Sequence, residues 1–575
     1  MLSLKRSRFS TPFLNPWTSL GFVFLALCAA LLIYAAGKGI DFTDESFYLL
    51  YYAAPARHLF NLSWFQFVGS LWHDLAGGSV FGLRLCGYAT MFACAILCLA
   101  GLSRAYPILL AADCNRGFAL LTVCSIYATL YMPVMLTPGY NSIDACGLAL
   151  TLGGVALIPR GQTRSFVGSI LVGLGCAFVL FGKPNCFLAL LVLLALWAWR
   201  VRPGRKPVLV AAFVCAVTVL AVIAMHLPIS ETWRLVWEPV NFLLRVYKVY
   251  ESMRFEGLGK YVLRSLVTFC SLSAFVTICP KRFAIAGVLT ASAVITFMLS
   301  HSNSVALGAL APSLALGLLL LTAVQSRRQP QDIDPEGPSS ELILLSFAFP
   351  ICYFHGSAVP FTMTLGNASF FWWITVLLCL GRLRPVPRIR ALSFFCCAAC
   401  ALWLVFWAWH AFSSPYRHGS RIWEETEALT DVPGFERVHV TPFNHSWIQH
   451  LRGEAESAGF RPGMPVLDIS GGVPGLMLLI DASPAGSNWI FGGYKMSTEY
   501  LRFALDRISP EDRRRCWMLR LKGDPPYLRF DLGVLREYGI DPEGSYEAVW
   551  QGREPFYQER EIILLRPVGL IPSER

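Results

Sequence analysis

Three carboxylates stand close together in the stretch Asp41-Phe42-Thr43-Asp44-Glu45-Ser46-Phe47-Tyr48, directly after the first long apolar run. A carboxylate beside a membrane surface can take the proton of an attacking hydroxyl, or hold a divalent cation such as Mg2+ or Mn2+ through hard oxygen ligands. Helical neighbours lie about 100° apart, so Asp44 and Glu45 cannot point the same way; one faces a site and the other braces it. Asp41 and Asp44, three apart, share a face if the turn is helical. The plain alternative is that Asp44 or Glu45 caps the helix that follows.

Four short connections carry further polar groups: Thr137-Pro138-Gly139-Tyr140-Asn141-Ser142, Gly182-Lys183-Pro184-Asn185, His301-Ser302-Asn303-Ser304 and Thr364-Leu365-Gly366-Asn367-Ala368-Ser369. Each holds an asparagine, which is also a common turn former. If these connections lie on the face that carries the acids, then Tyr48, Tyr140, Asn141, Asn185, His301, Asn303 and Asn367 can converge on one hydroxyl-rich ligand. Lys183 is the cation of these connections, and with Arg57 and Arg84 it can neutralise a phosphate. Arg84 has a competing reading, snorkelling from the end of a span.

Long apolar blocks must position these groups. Of the 575 residues, 55% are hydrophobic and 15% charged, well short of the roughly 25% charged residues of an average soluble domain. Trp17 to Ala36 is uncharged over about the twenty residues that a helix needs to cross a bilayer. About thirteen such spans can be read: the first, then 80–101, 117–136, 143–158, 165–182, 185–199, 207–226, 261–279, 283–299, 304–323, 341–357, 369–381 and 391–411. The expected fold is an all-α polytopic membrane bundle over 1–411, followed by a C-terminal extracytoplasmic α/β domain over 412–575.

Sidedness follows from the cations. Lys5, Arg6 and Arg8 put the N-terminus in the cytoplasm, and strict alternation then predicts basic inside loops. The sequence supplies them as Arg104 and Arg116, Arg160 and Arg164, Arg200 to Lys206, Lys281 and Arg282, Arg327 and Arg328, and Arg382 to Arg390. An odd number of spans sends the tail outside. Two long outside connections, 38–79 and 227–261, space their aromatic residues like amphipathic helices lying in the interface, with Trp233 and Trp237 at headgroup level. Gln325 to Glu341 reads as a flexible linker.

The net charge of +11 does not imply a nucleic-acid partner, because the tail after Phe412 holds 19 basic and 23 acidic residues and the excess belongs to the membrane part. Seventeen of the 18 cysteines precede the tail, which keeps only Cys516 and so has no disulfide framework of its own. Within the tail, strands are expected over 466–469, 475–480, 516–521 and 562–566, and helices over 416–430, 447–458 and 498–508. The piece Ser470-Gly471-Gly472-Val473-Pro474-Gly475 follows a strand, but Pro474 and the absence of an expected helix behind it favour a plain turn over a phosphate loop.

A basic start, one span and then Asp44, Glu45, Ser46 and Tyr48 in an outside loop resemble the membrane glycosyltransferases of the GT-C superfamily, especially the protein mannosyltransferase and lipid A aminoarabinose transferase branches. Tyr140-Asn141 and Lys183-Pro184-Asn185 extend the resemblance loosely, and Phe47 departs from it, since some members carry arginine there. The resemblance implies an enzyme that takes a sugar from a polyprenyl-phosphate carrier and passes it, with inversion, to a glycan, lipid or protein acceptor on the outer face. On this reading Asp44, or else Asp41, is the base or orients the acceptor, and Glu45 assists or joins Asp44 as a metal ligand. Lys183, Arg84 and Arg57 bind the donor phosphate, in a bacterial inner membrane. Two alternatives stay open: a glycan polymerase or ligase using a polyprenyl-linked oligosaccharide, and a lipid-linked glycan transporter without bond chemistry, against which the near absence of ionisable groups within the spans argues.

Overall fold

The computed structural model describes residues 16–60, 63–130, 135–246, 304–328, 333–355, 366–383, 387–523, 528, 530–554 and 560–568. The expected spans 261–279 and 283–299 and the candidates His301 and Asn303 lie outside the described residues. Helices α1 (Pro16–Ala36), α2 (Asp44–Ala53), α3 (Phe65–Leu75), α4 (Val80–Ala105), α5 (Asp113–Cys124), α6 (Tyr140–Leu157), α7 (Gln162–Gly182), α8 (Pro184–Val201), α9 (Arg205–Ala224) and α10 (Arg234–Val246) come first. They are followed by α11 (Ser304–Arg328), α12 (Ser340–Phe354), α13 (Ser369–Arg382) and α14 (Pro387–Ser413).

Six helices among the described residues, α1, α4, α7, α8, α9 and most of α14, are long and apolar enough to cross a membrane, and α12 and α13 are shorter apolar helices. The chain is an integral membrane protein. The span expected over 117–136 is divided: α5 ends at Cys124 and a tighter turn runs from Ser125 to Thr129. Helix α6 is the bundle's centre, with every residue from Asn141 to Leu157 buried. Glycine makes this possible, because a Cβ on either Gly154 or Gly168 would sit 2.5 Å from the other's carbonyl oxygen, so the α6 and α7 backbones touch. Helix α9 does the reverse and turns Leu209, Phe213 and Leu220 outward.

The helix directions sort the connections. Arg104, Arg160, Arg164 and Arg200 sit where α4, α6 and α8 end and α7 begins. There Arg164 donates to the Arg104 carbonyl at 3.0 Å and Arg200 lies 3.5 Å from Glu341. Thr137, Tyr140 and Lys183 sit at the other end of the same helices, beside α2 and α3, where the Tyr52 hydroxyl donates to the Pro138 carbonyl and Trp64 N–H to that of Phe181.

The tail forms the hairpin of β1 (Glu427–Ala428) and β2 (His439–Val440), then α15 (Pro442–Ser457), β3 (Pro465–Asp468), α16 (Gly475–Leu479), β4 (Ser483–Pro484), α17 (Ser497–Leu505), α18 (Pro510–Arg515), β5 (Trp517–Leu521), α19 (Gly533–Glu537), β6 (Tyr546–Arg553) and β7 (Glu561–Pro567). One mixed five-stranded sheet runs in the order β4-β3-β5-β7-β6, parallel through β5 and antiparallel beyond it. Two expectations fail. The apolar run 475–480 is helical, since a short buried run looks alike in helix and strand. The segment 416–430, expected as a helix, folds instead into turns and β1 because His418 turns back onto Glu425, 2.8 Å away, and β1 pairs with β2.

This tail packs on the connection between α1 and α4. Gly39 N–H donates to the His439 carbonyl, His439 N–H to that of Gly37, Val80 N–H to that of Gly434, and Gly475 N–H to that of Phe42. Helices α2 and α3 are accordingly buried along most of their length rather than lying at a membrane surface as amphipathic helices. Trp233, just before α10, and Trp237 within it are exposed, and α10 turns Phe242 onto Tyr500 and Phe503 of the tail.

Candidate active site

The acidic stretch divides between two environments. Glu45 is fully buried, and its Oε1 accepts from Arg84 Nη2 at 2.7 Å, Arg84 Nε at 3.1 Å and the Thr137 hydroxyl at 2.5 Å, while Oε2 accepts from Asp41 N–H at 2.9 Å. Burial alone would raise the pKa of Glu45, but Arg84 and these donors outweigh it and hold it below the usual glutamate value. Arg84 is equally sealed. Its Nη1 donates to the carbonyls of Ala36 at 2.9 Å and Lys38 at 2.8 Å, and Nη2 also donates to that of Gly39 at 2.8 Å. Every N–H of the guanidinium is thus directed at a protein acceptor. Arg84 neither snorkels nor has a donor left for a phosphate; it ties α4 to the strand-like entry into α2.

Asp44 is the one residue between Gly39 and Tyr52 that is not buried. Its Oδ2 accepts from Arg417 Nη1 and from the Tyr416 hydroxyl, each at 3.0 Å, and Arg417 also donates to the Thr43 hydroxyl. The side chains of Asp44 and Arg417 stay about a quarter exposed, at 27% and 25%. Thr43, the residue before α2, makes no side-chain cap, and Asp44 is directed to the tail instead of its own helix.

Asp41 lies behind it, buried, accepting at Oδ1 from Thr43 N–H at 3.0 Å and the Thr43 hydroxyl at 2.5 Å. Burial, reinforced by Asp44 and opposed by Arg417 and Thr43, raises its pKa to about 6. The tail adds Glu554, 2% exposed and 3.7 Å from Arg560. Burial pushes Glu554 up to about 7 against the pull of Arg560 and Arg417. Gly475 completes the contact: a Cβ there would meet Ser46 Oγ at 2.7 Å and the Phe42 backbone at 2.8 Å. The glycine-rich piece 470–475 is therefore more than a turn, since it seats the tail on the acids, and a short helix does open behind it.

A second group sits at the heads of α6 and α8. Lys183 Nζ donates to the Tyr353 carbonyl at 2.8 Å, lies 4.0 Å from Asp144 and covers the rings of Tyr353 and Tyr140 at 4.3 and 5.7 Å. Tyr140 meets the edge of Tyr48, ring centroids 5.8 Å apart. Tyr48 is one turn along α2 from Asp44, so an aromatic strip links the open acid to the buried lysine. Asn141 and Asn367 are buried nearby in sequence terms at the starts of α6 and α13, whereas Asn185 is exposed on the first turn of α8. Arg57 is exposed and lines a separate cavity that contains no residue of the acidic stretch.

Tyr416, Arg417 and Glu554 escaped the sequence reading because they lie hundreds of residues from Asp44. A signal existed for Asp144: it is a charged residue in an apolar helix, one turn after Tyr140, and it is buried against Lys183. A metal held by Asp44 and Glu45 does not fit, because both Glu45 oxygens already accept hydrogen bonds. Among the described residues no group of three or more metal-ligating side chains assembles.

No family model matches the chain, and no curated protein matches it. Among solved structures, the crystal structure of ArnT from Cupriavidus metallidurans bound to undecaprenyl phosphate is similar over 97% of this chain and 100% of that one, at 11% sequence identity and a TM-score of 0.43.

Proposed function

We propose that this chain is a membrane glycosyltransferase that moves a sugar from a polyprenyl-phosphate-linked donor to an acceptor on the extracytoplasmic face. The observation that carries the reading is the splitting of the acidic stretch, in which Glu45 is locked into the scaffold while Asp44 alone opens outward, steered by Arg417 and Tyr416. Such a carboxylate is placed to take the proton of an acceptor hydroxyl as its oxygen attacks the anomeric carbon. The bond from that carbon to the phosphate oxygen breaks, and the phosphate leaves as an anion that needs electrostatic stabilisation more than a proton. Lys183 is assigned to that phosphate. Arg84 is a brace, and Glu45 supports the turn that presents Asp44.

The basic cluster formed by Arg104, Arg160, Arg164 and Arg200 at the far end supports an outward-facing site, as in a bacterial inner-membrane protein with a cytoplasmic N-terminus. Release of polyprenyl phosphate from a labelled sugar donor by the purified protein tests the proposal. Asp44→Asn is expected to slow release by about 10²- to 10⁴-fold, and undiminished release by that variant overturns the assignment.

One observation favours a second reading. A charged pair buried at the head of a bundle, as Asp144 and Lys183 are, is also what a lipid-linked glycan transporter would use. Transport without bond cleavage predicts translocation of the intact donor in liposomes and no free polyprenyl phosphate.

A further inference from the structure

A cavity of about 480 Å³ opens where the α1–α4 connection, α10 and the tail meet, away from the acidic stretch. This falls within the range of pockets that enclose small ligands. Its lining includes Arg57, His58, Arg234, Glu238, Arg507 and Asp512. Much of that charge is internally compensated. Arg234 Nε and Nη2 lie 2.9 and 2.8 Å from Glu238 Oε1, and Arg234 Nη1 donates to Glu231 at 2.8 Å. Arg507 lies 3.7 Å from Glu238 and over the Phe503 ring, 3.4 Å from its centroid. Asp512 accepts from the Ser509 hydroxyl at 2.7 Å. Arg57, exposed at the rim, has no ion pair with the described residues, so the cavity keeps a positive edge.

His58 supplies the second observation. The residue is 8% exposed, and Nε2 has no hydrogen-bond partner among the described residues. The other ring nitrogen donates to the Pro484 carbonyl, and burial, helped by Arg57 and Arg507, lowers the pKa to about 4. The ring is therefore neutral at pH 7 and Nε2 is an acceptor without a donor, which a buried site leaves unfilled at a cost unless a ligand provides one. A chloride ion brings no hydrogen for Nε2, and a phosphate held at the rim by Arg57 presents its charged oxygens there; a sugar hydroxyl brings a donor to the inner wall.

We propose that this cavity binds an anionic sugar unit, a hexose carrying a phosphate or a carboxylate, with Arg57 meeting the anion and His58 Nε2 accepting from a hydroxyl. The ligand's charge and its hydroxyls are recognised by different walls, Arg57 and His58 from the connection after α2 and the Ser483–Gly486 backbone from the tail. The site is separate from Asp44, and it does not depend on the transferase reading.

Calorimetric titration of the full-length protein in detergent tests it, using glucose 6-phosphate, glucose and inorganic phosphate as probes. Glucose 6-phosphate is expected to bind about tenfold or more tightly than glucose or phosphate alone, since each lacks one half of the recognition. Arg57→Ala and His58→Asn should each weaken it about tenfold, and Arg57→Ala, at an exposed position, should leave Tm unchanged. Nanodiscs containing phosphatidylinositol identify the source: competition with glucose 6-phosphate assigns the site to a lipid headgroup, and its absence to a soluble or polymer-borne sugar. Lack of glucose 6-phosphate binding at about 10 mM, or equal binding by Arg57→Ala, overturns the proposal.

Discussion

Glu45–Arg84 and Asp44–Arg417 are acid–arginine pairs built on consecutive residues, and they have almost nothing else in common. The first has both side chains at 0% exposure and takes hydrogen bonds from three segments; the second has both near a quarter exposed. A buried pair holds because each partner compensates the other's desolvation, whereas an exposed pair contributes little and leaves its members available. The difference teaches how a short motif can be both scaffold and site. Rotation by one helical position sends one carboxylate inward to fix the turn and the next outward to meet a ligand.

Removing one member of the sealed pair gives the largest expected effect. Glu45→Ala leaves Arg84 charged and buried, and the expected loss is about 3–5 kcal/mol. Little folded protein should elute in fluorescence-detected size exclusion, and restoring the profile by Arg84→Met in the same chain would show that the stranded charge, not the lost packing, was responsible. Wild-type thermal stability of Glu45→Ala would break the comparison. Asp44→Asn should do the opposite, with a stability change under about 1 kcal/mol and turnover lower by the factor given above. A thermal scan and a release assay on one preparation separate the two.

The contact that couples the pairs is next in size. Gly475→Ala puts a methyl group against Ser46 and the Phe42 backbone, which overpacking makes worth about 1–3 kcal/mol. The tail should loosen from the acidic stretch while the bundle stays folded, so protease cleavage between the bundle and the tail should accelerate before any change in the bundle's melting.

These residues also show where sequence reasoning reaches its limit. The acidic stretch and the helical bundle were legible because each rests on local pattern: an apolar run and a charge beside it. Arg84 looked like a phosphate ligand because sequence shows a cation near an outside end and does not show the carbonyls of Ala36, Lys38 and Gly39 that occupy it. Asp144 carries a local signal of its own, a charge in an apolar helix, but its pairing with Lys183 depends on how α6 packs beside the start of α8. The segment 475–480 satisfied strand and helix patterns alike. Tyr416 and Arg417 read as the start of a helix, because their contact with Asp44 exists only once the tail has folded back over the first connection.

The smallest expected effect concerns pH and distinguishes the interior of this interface from its open edge. Asp41 and Glu554 have pKa values raised by burial to about 6 and about 7, from ordinary carboxylate values near 4. The folded chain therefore keeps protons that the unfolded chain has already lost between about pH 4 and pH 7. Their stabilising contribution is full below that window and is lost as pH rises through the folded values, so the seating of the tail should weaken from pH 5 to pH 8. Asp44, Arg560 and Arg417 all face these acids, and the two arginines limit the loss without removing it. Glu554→Gln mimics the protonated form permanently. It should flatten the decline and raise Tm at pH 8 by about 2 °C, with little change at pH 5, whereas a decline as steep as the wild type's would mean that Glu554 is not one of the groups that titrate there.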